Sequence, residues 1–152
     1  MIFFIVLSLA FLKSFHIIRP NKNTSMFSRR RSREFLLQSL YSRSELKSAF
    51  DRASFIDTYF AEDMAAPLEI EYIDTVEKEL LAHEAELISL VTLLAPKFEL
   101  PTLPVIHIMI IMIALTEILY TPSLAIPEAV AVNEAIELAK RFSDEPGKLF
   151  IN

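Results

Sequence analysis

Arg29, Arg30, Arg31 and Arg33 crowd into the stretch "MFSRRRSREFLLQSLY", which begins at Met26. A guanidinium fork fits phosphate oxygens, and each phosphate it neutralises releases counterions. Four such groups on one helix would give a nucleic-acid backbone modest, salt-sensitive affinity. They read no sequence, which takes base stacking or base-edge contacts from elsewhere. Tyr41, Lys97 and Phe150 are candidate helpers that spacing alone does not bring together. The plainer reading of the arginines is solvated surface charge. Their position still needs a reason, because positive charge at a helix start opposes the helix dipole.

Other chemistry is poorly supported. The chain has no cysteine, which excludes disulfides, thiolate metal sites and cysteine nucleophiles. Its one glycine, Gly147, excludes Gly-rich phosphate loops. Of the three histidines, His16 lies in an apolar leader. His83 follows Glu79 by one helical turn and could share a metal with it, but no second Glu/His pair completes a bundle site. A solvated helix face is the plain reading of that pair. His107 sits on an apolar helix, where a capped or boundary histidine is the ordinary case. The acids lie along helix faces rather than as paired carboxylates in a cleft. No catalysis, metal or cofactor is expected.

The elements that must carry the arginines are helical. The composition, poor in glycine and rich in Leu, Ile, Ala and Glu, favours helix, and 152 residues suffice for one domain with a sizeable core. The net charge of -5 argues against broad non-specific nucleic-acid binding but not against a local basic patch. "MIFFIVLSLAFL" is shorter than the roughly 20 apolar residues of a membrane span. Residues 1–25 read as a leader and linker upstream of a true start at Met26, with a short membrane anchor and a signal peptide as alternatives.

Ser28 can cap a helix starting at Arg29. Arg29, Arg33, Leu37 and Tyr41 are spaced by four, so an apolar stripe becomes cationic in its first turns. A second helix is expected from Glu45 to Asp63 with Phe50, Phe55, Ile56, Tyr59 and Phe60 as its apolar residues. A long third helix should run from Glu69 to Ala95. "PKFELPTLP" is a connector that leaves the two halves partly independent. "VIHIMIIMIALTEILY" (Val105 to Tyr120) is apolar almost all round and reads as a buried centre. Pro127 opens a last long helix, packed through Val132, Ala135, Ile136, Ala139 and Phe142, with Glu137 and Arg141 as an i, i+4 pair. "SDEPGK" ends it, and the chain stops within a further element that should expose apolar surface. The expected product is an all-α bundle of two small helical groups.

Two segments, "RRRSREFLLQSLY" and "IPEAVAVNEAIELAKRFSDEPGKLFIN", resemble the NusB family of transcription antitermination factors in order and spacing, from about Ser28 to Asn152. The resemblance implies a non-enzymatic, cytoplasmic, all-helical RNA-binding protein built of two three-helix groups. Its implied partners are boxA RNA of ribosomal RNA operons, the small-subunit ribosomal protein NusE and the RNA polymerase antitermination complex. A homodimer stays open, and a membrane partner is not expected. By position, Arg29, Arg30, Arg31, Arg33, Lys97, Lys148 and Phe150 would face RNA, and Tyr41 and His107 would face the protein partner. The chain departs from the family's pattern at Lys97, His107, Met112, Ala129 and Leu149. An RNA-binding appendage of a ribosomal RNA methyltransferase and a protein-binding helical module tethered through the leader are the alternatives.

Overall fold

A computed structural model describes residues 24–62, 68–97 and 99–151, without the side chains of 24–28, 60–62, 146 and 149. All but the last two residues of the expected leader, together with Asp63 and Asn152, lie outside these. Seven α-helices follow one another among the described residues, with no strand: α1 (Thr24–Leu46), α2 (Arg52–Glu62), α3 (Ile70–Ala82), α4 (Glu84–Leu94), α5 (Val105–Leu119), α6 (Glu128–Phe142) and α7 (Glu145–Ile151). Three 3₁₀ turns, Lys47–Ala49, Leu100–Thr102 and Pro122–Leu124, make corners. No helix among the described residues is long and apolar enough to cross a membrane.

The expected buried centre is α5. Ile106, Ile110, Met112 and Ile113 are buried, and α5 packs against α1, α3, α4, α6 and α7. Phe35, Leu36, Leu37 and Leu40 of α1, Tyr72, Ile73 and Val76 of α3, Leu87 of α4 and Leu138 of α6 join it in a single cluster. Burying one such side chain contributes about 1.5–3 kcal/mol. The proline connector therefore does not leave independent halves, because both sides of it close on one helix.

Several boundaries differ from the sequence reading. Helix α1 begins at Thr24, so Ser28 lies inside it rather than capping it, and Arg29 falls in the second turn. The dipole penalty fades within the first turn, which removes most of the objection to the arginines. At its other end α1 runs to Leu46, and α2 begins only at Arg52, past a 3₁₀ turn where Lys47 takes a left-handed φ of 50°. The long third helix is two helices bent at His83. The imidazole of His83 stacks flat on Tyr120, with centroids 3.9 Å apart and planes 6° from parallel. No proline or glycine marks that bend, so the apolar periodicity runs through it unbroken.

Helix α6 is rotated from its expected packing face. Ala131, Glu134, Ala135, Leu138, Ala139 and Phe142 are buried, whereas Val132 is half exposed. Small alanines let α6 approach α5 closely, and the charged Glu134 turns inward with them. Arg141 reaches Glu34 on α1 instead of Glu137, which pairs with Lys140.

Candidate nucleic-acid interface

The four arginines share one helix but not one environment. Arg33, on the inner side of α1, is 3% exposed. Its Nε donates to Glu117 Oε1 at 2.7 Å and its Nη2 to Oε2 at 3.3 Å. Tyr72 Oη donates to the same Oε1 at 2.5 Å. Glu117 is the lone acid of α5 and is itself buried. Buried charges survive only when paired and hydrogen-bonded, and here each partner satisfies the other. Burial works to lower the pKa of Arg33, but the Glu117 carboxylate, through its charge and hydrogen bond, and the charge of Glu134 hold it raised. Burial, then the charge of Glu117, holds the Tyr72 phenol well above its ordinary value, so it remains a donor.

One turn earlier, Arg30 is gripped by Glu134 of α6. Its Nε donates to Oε2 at 3.0 Å and its Nη2 to Oε1 at 2.6 Å. The Arg30 side chain keeps 39% of its exposure while that of Glu134 keeps 8%. Glu134 also lies 3.6 Å from Nη1 of the buried Arg33. Glu117, Arg33, Glu134 and Arg30 thus alternate in charge from the core outward, and the outermost member is a cation. The hydrogen bonds that Arg30 donates to Glu134 raise its pKa further, so its charge is fixed.

Arg29 donates through Nε to Glu69 Oε2 at 3.0 Å, and the backbone N–H of Glu69 donates to Ser32 Oγ at 2.8 Å. Helix α1 thereby satisfies an N–H at the start of α3, where no side-chain cap exists. The guanidinium of Arg31 lies over the Tyr59 ring of α2, 5.5 Å from its centroid. Arg29, Arg30 and Arg31 are partly exposed and fixed from beneath. Much of their charge is matched inside the fold.

Of the remaining candidates, Tyr41 shares α1 with the arginines and the others are dispersed over other elements. Lys97 is exposed on the turn after α4. Lys148 on α7 donates to Glu145 at 2.5 Å. Phe150 is buried in the main cluster, and Tyr41 is half buried against it. His107, expected at a partner surface, is 3% exposed beneath α7. A Cβ on Gly147 would run into the His107 ring, so the single glycine of the chain stands where α7 crosses α5 at close range. Glu79 and His83 lie 3.6 Å apart, and no group of three metal-ligating side chains occurs among the described residues.

The acids that organise this face were not singled out by spacing. Glu69, Glu117 and Glu134 lie 40, 84 and 104 residues from the arginines they hold. One signal existed: a glutamate in an otherwise apolar helix must have a buried partner.

The NusB family profile matches residues 30–152. Curated relatives bearing the name "Transcription antitermination protein NusB" include that of Elusimicrobium minutum (strain Pei191), 34% identical over 84% of this chain and 89% of its own length. That of Lacticaseibacillus casei (strain BL23) is 34% identical over 84% of this chain and 90% of its own. That of Microcystis aeruginosa (strain NIES-843 / IAM M-2473) is 43% identical over 83 residues, 55% of this chain but only 35% of the relative.

Proposed function

The chain belongs to the NusB family, and from that premise we propose that it acts in transcription antitermination by binding boxA-type RNA of ribosomal RNA operons together with NusE. The family is one of RNA-binding regulators rather than enzymes, and the work would be done in the cytoplasm. The observation that carries the reading is the outward cationic edge of α1. Arg29, Arg30 and Arg31 keep partial exposure to solvent while Glu69, Glu134 and the Tyr59 ring hold them in place. Such groups suit phosphate oxygens, and prior fixation lowers the ordering cost on binding.

Arg33 enters this reading indirectly. With its fork on Glu117, its part is to anchor the helix that bears the other three. Lys97 and Lys148 are proposed as the flanking surface, whereas Phe150, buried in the main cluster, would support that surface only from within. Tyr41 is proposed as a partner contact, whereas His107 would act through the α5–α7 joint that it fills.

Fluorescence anisotropy with a labelled single-stranded boxA-type RNA, with and without NusE, tests the proposal. Arg30→Ala and Arg31→Ala should each weaken binding about tenfold at low salt. Each should also flatten the log–log salt slope by about 0.7, the value for one phosphate contact on a single strand. Affinity within about twofold of the unaltered protein for both variants would remove the arginine edge from the RNA site.

A further inference from the structure

We propose that Glu134 is a positioning residue for phosphate recognition: it holds one edge of the Arg30 guanidinium so that the other edge is presented to the RNA backbone. The inference rests on the RNA-binding reading above and adds a residue of opposite charge to it. A carboxylate beside an RNA-binding arginine would ordinarily repel phosphate and compete for the cation. Three observations argue otherwise for Glu134. Its side chain is almost fully covered while that of Arg30 is not, so phosphate would meet the cation first. It grips Arg30 through Nε and Nη2, an arrangement that fixes the plane of the fork and leaves the Nη1 side over. Its negative charge is shared with the buried Arg33, 3.6 Å away, whose own fork is on Glu117.

The grip is specific to arginine. A lysine at position 30 would keep the charge, but its ammonium has no planar edge to give to one oxyanion while offering a second edge to another. Free arginine side chains carry about 2 kcal/mol of rotamer entropy, part of which Glu134 has already removed before RNA arrives.

The test exploits a difference in sign. Glu134→Gln removes a negative charge beside the RNA site, so electrostatics alone predicts tighter binding. Positioning predicts the reverse: binding of the labelled boxA-type RNA about fivefold weaker, because a carboxamide cannot accept two parallel N–H bonds. In an Arg30→Lys background the Glu134→Gln change should weaken binding no further. Far-ultraviolet circular dichroism and the urea midpoint report whether Glu134→Gln is folded. Unchanged or tighter RNA binding by folded Glu134→Gln would overturn the positioning role. Arg30→Lys supplies an independent measure, since it alters only the exposed end of the array. It should lose about as much affinity as Glu134→Gln, and full affinity there overturns the role even if Glu134→Gln does not fold. Arg30→Ala separates the two levels. Weaker binding by Arg30→Ala with unaltered binding by Glu134→Gln sinks the positioning role alone, whereas unaltered binding by Arg30→Ala sinks the phosphate contact and the positioning role together.

Discussion

Arg33→Met tests whether the arginine-rich helix is first of all an internal fastening. The Arg33 side chain is 4% exposed and that of Glu117 1%, so neither charge has water to fall back on. Methionine fills a similar volume without the charge. It would leave the Glu117 carboxylate with the Tyr72 hydroxyl at 2.5 Å as its remaining hydrogen-bond donor from this group. Removing one member of a buried ion pair costs about 3–5 kcal/mol, because an uncompensated charge stays inside. Against a total stability of about 5–15 kcal/mol this is a large share. With a urea slope of about 2 kcal/mol per molar, the midpoint followed by circular dichroism should fall by about 2 M. Adding Glu117→Leu and Tyr72→Phe removes the stranded charge and the hydroxyl that served it. That triple variant should return to within about 1 kcal/mol of the unaltered protein or exceed it. The reasoning fails if Arg33→Met loses less than about 1 kcal/mol, or if the triple variant is no more stable than Arg33→Met.

Gly147→Ala should destabilise the protein by about 1–3 kcal/mol, since the added methyl meets the His107 ring and α7 must lift from α5. Thermal unfolding of Gly147→Ala, His107→Ala and the double variant should show coupling, the double losing less than the two singles combined. Glu34 supplies a pH dependence. Burial raises its pKa above the ordinary 4.5, against the opposing pull of Arg141. The folded state therefore holds the proton more tightly than the unfolded chain, and stability from this group rises as pH falls through the raised value toward 4.5 and declines as pH rises. Urea midpoints at neutral and mildly acidic pH, each compared with Glu34→Gln, should show the unaltered protein gaining relative to the variant on acidification. A constant difference would contradict the shift.

The all-α class, the buried central helix and the family were legible because each rests on local or linear information. Val105 to Tyr120 is apolar almost all round and shorter than a membrane span, which marks it as central. The connectors carry prolines, and the motif around Asn133 keeps its order along the chain. Where a boundary depended on packing, linear information failed. The bend at His83 comes with a stack on Tyr120, which lies in another element and leaves no mark in residues 69 to 95. The rotation of α6 follows from alanines closing on α5 and from Glu134 meeting Arg30.

The arginines show the division most sharply. The sequence by itself determined that four cations lie along one helix and that an isolated glutamate sits in an apolar one. It could not sort the cations, because positions four apart on a helix share a face whether that face meets water or another helix. Only the tertiary structure decided that Arg33 closes on Glu117 in the core while Arg30 ends the same charge array in solvent. The physical reason is that an ion pair is a contact in space. Its partners here stand 84 and 104 residues away, and three helices had to pack before either charge had a partner.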